Sequence, residues 1–227
     1  MPTLTFHGHS CFELEHGGKR VIIDPFLTGN PKADVGPAKL KHLDAVLLTH
    51  GHGDHLGDAI ALAKQHGATV VAPNELALYC GAQGVKQVHP MHIGGAHEFP
   101  FGRVKLVVAI HGGSVDGPGG EKFTTFPCGF LVTMGGKTVY HAGDTALTMD
   151  MQLLEGRVDV MCLPIGDNYT MGVEDAARAV EFVKPKVAIP MHFGTFPVIA
   201  ADPAAFAKQV GSRAEVVVLQ PGASYSF

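Results

Sequence analysis

The sequence predicts an α/β fold of four layers, an αββα sandwich in which two mixed β-sheets pack face to face with helices outside. Three observations predict it. Apolar runs of strand length, such as "DAVLL" and "VDVMCLP", lack polar alternation, as strands buried on both faces do. Segments of helical spacing follow several of them. This rhythm, hairpin strands first and strand–helix alternation after, occurs in both halves of the chain, and two packed sheets satisfy both.

Taken in order, "TLTFHGHSCFELEHGGKRVIID" reads as two extended runs around a Gly17-Gly18 turn, the second ending on Asp24. A Pro- and Gly-containing stretch leads to "LDAVLLTH", a buried strand. From Leu56, "LGDAIALAKQHG" has helical spacing and closes on Gly67 as a C-cap. "ATVVAP" is again a strand, and "PNELALYCGAQG" a helix opened by Pro73 and Asn74. In the second half "GRVKLVVAIHGG" is extended up to His111, and the Gly-rich loop "GGSVDGPGGEKF" follows. "GFLVTMGGKTVYHAGDT" makes two strands joined at Gly135-Gly136, the second leading to His141 and Asp144. The rest alternates: "VDVMCLPIG" strand, "GVEDAARAVEFVKP" helix, "KVAIPMH" strand, "DPAAFAKQVG" helix, "AEVVVLQPG" strand. With no tandem repeat or long linker, residues 1–227 read as one domain.

Composition narrows the function. The chain of 227 residues carries 14 His against 17 Lys and Arg, and imidazoles are mostly neutral near pH 7, the form that ligates metals. Net charge is −4 and the basic residues occur in scattered pairs, so no nucleic-acid-tracking run is visible. Cys11, Cys80, Cys128 and Cys162 never form a CxxC pair, which argues against a zinc knuckle or a disulfide scaffold and for reduced thiols. No apolar run reaches the ~20 residues of a membrane span, and the N-terminus lacks a signal core. The expectation is a cytoplasmic protein with a small-molecule substrate, no nucleic-acid or membrane partner, and a size compatible with a homo-oligomer.

"THGHGDH" concentrates ligand chemistry where a buried strand ends. In HxHxDH alternate residues of an extended stretch share a side, so His50 and His52 reach one ion, while Asp54 and His55, displaced by the turn, face a second. Further donors must come from elsewhere, and His111, Asp144 and His192 stand at other strand ends, which converge at one edge of a layered fold. Chance produces HxHxDH on the order of once in a few hundred such chains. Taken singly, His111 and His192 read as solvated or core histidines, and Asp144 as a cap for a helix starting near Thr148.

"THGHGDH" with "HAGDT" and the late "PMH" resembles the metallo-β-lactamase superfamily over essentially the whole chain. "GHSCF", "IDPFLTGNP", "IGDNYTMG" and "PMHFGTF" look like a group of bacterial and archaeal metal-dependent hydrolases similar to L-ascorbate-6-phosphate lactonase. The resemblance implies two divalent metal ions, zinc first, with manganese, iron or nickel as alternatives. It implies His50, His52 and His111 on one ion, Asp54, His55 and His192 on the other, and Asp144 bridging, with Asp54 and Asp144 the catalytic carboxylates. Asp24 matches an acceptor that orients a metal-binding imidazole. His92 and His97 compete with His111. By the same resemblance His9 lies near the metals, where it contacts substrate or supports a ligand; His7 would share its face on a regular strand. Asn168 and Tyr169 are candidate substrate contacts, His141 sits beside Asp144 facing away, and Thr195 and Phe196 shape the pocket.

Such a set favours hydrolysis, because two adjacent divalent ions lower the pKa of water toward ~7 and stabilise developing negative charge. No GxSxG elbow offers a protein nucleophile. His52 stands where the superfamily's oxygen-reducing di-iron proteins carry Glu, and Asp144 where zinc-thiolate β-lactamases carry Cys. The expected function is hydrolysis of a small phosphodiester or ester, with a lactonase or thioesterase as the alternative. A non-enzymatic metal- or metabolite-binding module and a redox-active site are the competing classes.

Overall fold

The computed structural model describes residues 1–117 and 122–227. Its first half contains β1 (Thr3–Phe6), β2 (Phe12–His16), β3 (Lys19–Ile23), β4 (Ala45–Leu47), α1 (Gly53–Leu56), α2 (Ala59–His66), β5 (Thr69–Pro73), α3 (Asn74–Ala82) and β6 (Val88–Met91). The second contains β7 (Ala96–Phe99), β8 (Gly102–Val108), β9 (Ser114–Asp116), β10 (Lys122–Thr124), β11 (Cys128–Met134), β12 (Lys137–His141), β13 (Val160–Pro164), α4 (Val173–Val183), β14 (Val187–Met191), α5 (Pro203–Val210), β15 (Glu215–Val216) and β16 (Ser224–Ser226).

Two sheets of seven strands form, in the orders β16-β1-β2-β3-β4-β5-β6 and β15-β14-β13-β12-β11-β8-β7. In each, antiparallel pairs give way to parallel ones, from β3 to β6 and from β12 to β15. Alternation along the central strands builds three cores. Val21 and Ile23 of β3, Leu47 of β4 and Cys162 of β13 point between the sheets, where they meet Leu106 and Phe130. Ile22 and Val46 point outward under α2 and α3 with Leu62 and Leu76, and Met161 and Leu163 point outward under α4 and α5 with Val180 and Phe206. Because both faces are buried, these strands need apolar residues at every position, the pattern that identified them. The layers are therefore helix, sheet, sheet, helix.

Several local expectations are corrected. The first extended run is two strands, because residues 7–11 make a turn with Gly8 at φ 97° and His9 at φ 58°. His7 therefore leaves the strand, and its Nδ1 lies 2.9 Å from Asp34 Oδ1. The helix read from Leu56 is two helices, α1 and α2. They part at Gly57, where φ is 39° and a Cβ would stand 2.5 Å from Pro25 O. Asp58 then locks the contact, its Oδ2 accepting from Leu27 N at 3.1 Å and Thr28 N at 2.8 Å. The strand read in "AEVVVLQPG" is only two residues long, and β6, β7, β9, β10 and β16 had no sequence signal. The Gly-rich loop contains the β9–β10 pair, with residues 118–121 outside the described residues. Near Thr148 there is a short 3-10 turn, capped by the Thr148 hydroxyl accepting from Asp150 N, not by Asp144. Among the described residues no helix is long and apolar enough to cross a membrane, and all four cysteines are free and buried.

Candidate metal centre

Parallel strands deliver their C-terminal ends to one edge of the sandwich. β3 is followed by Asp24, whose left-handed backbone (φ 48°) turns its carboxylate toward the end of β4. There Oδ1 accepts from Thr49 N at 2.8 Å, while Oδ2 accepts from the Thr49 hydroxyl at 2.6 Å and from His55 Nδ1 at 2.8 Å. Having donated to Asp24, the Thr49 hydroxyl accepts from His50 Nδ1 at 3.0 Å. One buried carboxylate thus sets the tautomer of two imidazoles and leaves Nε2 of each as the inward-facing atom. Beyond Gly51 the chain turns into α1, with His52 at its N-cap and His55 N bonded to His52 O, so His55 folds back beneath Asp54.

From the second sheet, Asp144 follows β12 after Gly143, where φ is 64° and a Cβ would stand 2.7 Å from Cys128 O. His192 follows β14 at φ 53°, and its N–H donates to His9 O at 2.8 Å, joining the ends of both sheets. His111 lies three residues past β8, and its loop is tied to that of Asp144 by Ile110 N donating to Thr145 Oγ1 at 3.0 Å. His9, Asp24 and His192 all hold positive φ, the kind of backbone strain that collects at functional sites.

Asp144 occupies the middle. Its Oδ2 lies 3.0 Å from His192 Nε2, 3.3 Å from His55 Nε2 and 3.5 Å from His111 Nε2. Around it, three sets of donor atoms each fit within 4.8 Å: His50, His52 and His111; His9, Asp54, His55 and His192; and His50, His55 and Asp144. Asp54, with 31% of its side chain exposed, is the open side; His9, His55, Asp144 and His192 are almost fully enclosed.

Burial pushes the His50 imidazolium well below its ordinary range, lowers His111, and brings His9 down to about 4 against its hydrogen bond to Asp54. For Asp144 and Asp54 burial acts upward, yet His55 with His192 holds the first, and His9 with His55 the second, below the usual carboxylate range. His55, although buried, is held well above its ordinary value by Asp144 and Asp24. Neutral imidazoles and ionised carboxylates are the forms that donate to a cation, so His9, His50, His111 and the two carboxylates are in that form, while His55 would have to release a proton to join them.

The residues fit metal ions on a further count. His55 Nε2, both ring nitrogens of His192 and Asp144 Oδ1 are buried without a hydrogen-bond partner. Leaving such atoms unpaired costs roughly 1–3 kcal/mol each, and cations held in the cluster would take up His55 Nε2, one ring nitrogen of His192 and Asp144 Oδ1.

The structure brings His50, His52, Asp54, His55, His111, Asp144 and His192 together, with Asp24 behind them and His9 beside Asp54. His92 and His97 are exposed and take no part in these sets. His141 is a buried bracket, its Nε2 donating to Ser10 O at 2.9 Å and its Nδ1 accepting from Gly143 N at 3.2 Å. Thr195 Oγ1 lies 2.9 Å from His9 Nδ1, and Phe196 packs edge-on to the His9 ring at 5.8 Å. Asn168 and Tyr169 lie in the exposed loop after β13, and among the described residues no hydrogen bond joins their side chains to the cluster. Sequence reasoning passed over Thr49, although it opens the motif; a hydroxyl next to the first ligand was the available signal.

Residues 3–192 match the family described as the beta-lactamase superfamily domain. The chain is 53% identical over 211 residues to a UPF0173 metal-dependent hydrolase of Bacillus cytotoxicus, covering 91% of this chain and 92% of that one. It is 54% identical over 206 residues to another from Geobacillus sp. (strain WCH70), covering 89% and 90%. The structure of Igni18, a metallo hydrolase from the hyperthermophilic archaeon Ignicoccus hospitalis, superposes with a TM-score of 0.88 at 34% identity, covering 100% of this chain and 99% of that one. The chain belongs to the metallo-β-lactamase superfamily, within the group of its UPF0173 metal-dependent hydrolase relatives.

Proposed function

We propose that the protein is a metal-dependent hydrolase with a dinuclear centre that activates water against a small phosphodiester. His50, His52 and His111 would hold one ion, Asp54, His55 and His192 the other, with Asp144 between the two sets. The observation that carries this reading is the place of Asp144, whose Oδ2 lies within 3.5 Å of imidazoles from both sets. The chemistry that two divalent cations would supply there is a lowered pKa for bound water and neutralisation of charge on the attacked group.

The chain's own residues do the rest. Asp24 and Thr49 hold the rings of His50 and His55, so little reorganisation accompanies binding. Asp54, His52 and His111 leave the approach open. A cleft of about 160 Å³ is lined by Gly51, His52 and Ser114, next to the open side of the cluster. The two hydroxyls that meet histidine rings, Thr49 on His50 and Thr195 on His9, are buried behind those rings, so this reading takes water as the nucleophile. Phosphorus is favoured because a pair of cations held by these two sets would suit in-line displacement at a phosphodiester.

A lactone or thioester is the second reading. Phe26 and Phe196 stand 5.7 and 5.8 Å from the His9 ring, an apolar wall suited to a neutral acyl group. Hydrolysis of a chromogenic phosphodiester by protein loaded separately with zinc and manganese, with Asp144→Ala as the blank, tests the choice. Metal-dependent turnover absent from the variant supports phosphodiester cleavage. No turnover by protein holding two ions contradicts it and turns the search to lactones and thioesters.

A further inference from the structure

One imidazole in the cluster lies outside the seven residues assigned to the ions. His9 sits in the turn between β1 and β2 with its side chain wholly enclosed. Its Nε2 lies 3.1 Å from Asp54 Oδ2, within the set that also contains His55 and His192. Two donors each ~2.1 Å from one ion are about 3.0 Å apart at a right angle and about 3.4 Å apart at a tetrahedral angle. The His9–Asp54 separation belongs to that range, as do the 3.0 Å between His192 and Asp144 and the 3.3 Å between His55 and Asp144.

The surroundings hold the ring in one pose. The Thr195 hydroxyl lies 2.9 Å from His9 Nδ1 and has no other hydrogen bond among the described residues. His9 O accepts from His192 N at 2.8 Å, and a Cβ on Gly8 would stand 2.9 Å from Lys32 O, so the turn cannot shift without disturbing both neighbours.

We propose that His9 is a fifth protein donor to the cation that Asp54, His55, His192 and Asp144 would hold, with Thr195 accepting from Nδ1 and so presenting Nε2 to the ion. The inference rests on the reading of this cluster as a metal centre. It makes the two positions unequal. The His50, His52 and His111 position has three imidazoles and Asp144, the four donors of a tetrahedral ion. Its neighbour has His9, Asp54, His55, His192 and Asp144, one donor more than a tetrahedral ion takes, and so suits a divalent cation that accepts five or six.

Anomalous diffraction from crystals of the whole chain soaked in manganese(II) tests this directly. The expected result is an ion beside Asp54 with His9 Nε2 about 2.2 Å away. An ion there with His9 Nε2 beyond about 3 Å overturns the proposal, whereas no ion at either position overturns the metal-centre reading itself. In solution, His9→Gln keeps an amide that can donate to Asp54 but is a poor ligand. Cobalt(II) titration of this variant is expected to show affinity about tenfold or more weaker at one of two positions, and a changed visible band. A titration and spectrum like those of the parent protein contradict the proposal. The diffraction result decides the matter whether or not the variant folds.

Discussion

Among the closely spaced histidine rings of the protein, two pairs have different surroundings. His50 and His55 lie with ring centroids 4.1 Å apart at the carboxyl ends of the parallel strands, and His89 and His97 lie 4.3 Å apart where the edge strands β6 and β7 meet. The second pair stacks beside Phe99 on the surface, and among the described residues neither ring joins a set of three donors. Around the first pair are two buried carboxylates, a hydroxyl that sets a tautomer, and ring nitrogens without partners. Ring proximity therefore does not make a metal site. A site needs anionic donors, an outer group that fixes each ring, and buried atoms that nothing in the protein satisfies.

The largest effect is expected at Asp144, the carboxylate between the sets. Asp144→Ala should lower turnover about a thousandfold or more, since charge stabilisation worth several kcal/mol is lost. Steady-state kinetics with metal in excess checks this. At Asp24 the change is one step removed: Asp24→Asn keeps the size and tolerates the left-handed backbone but loses the anion behind Thr49 and His55. Its affinity for zinc should fall roughly 10–100-fold, measured by competition with a chromophoric chelator. Thr49→Val breaks only the link from Asp24 to His50. It should cost about 1 kcal/mol of stability, read by urea unfolding of the metal-free protein, and weaken metal binding less than Asp24→Asn does. Smallest is the double change His89→Ala with His97→Ala, expected to leave metal content unchanged and stability within about 0.5 kcal/mol. Loss of a bound ion in that variant would break the comparison.

How much the sequence disclosed follows from burial. The cores of β4, β13 and β14 were legible because strands covered on both faces have no polar positions, and "AVL", "VMCLP" and "VAIPM" are wholly buried. β7 and β10 were not, because "AHEF" and "KFT" are almost entirely exposed and carry no alternation. The break after Phe6 was hidden in "FHGHSCF", where one glycine and a left-handed His9 make the turn without an Asn-Gly pair. At the candidate site, HxHxDH named four of the residues that the structure clusters, and His111, Asp144 and His192 followed from their places near strand ends. The roles of Thr49 and Thr195 depend on hydroxyls meeting rings across 25 and 186 residues of chain, for Asp24 with Thr49 and His9 with Thr195, and spacing carries no trace of that.

The central claim is that two cations share this cluster through Asp144. Metal content per chain after dialysis against buffered zinc, compared between the parent protein and a variant with His50→Ala and His52→Ala, tests it most directly. The account predicts two ions per chain in the parent and a loss confined first to one in the variant. A parent protein that binds fewer than two, or a variant that still binds both, would contradict it.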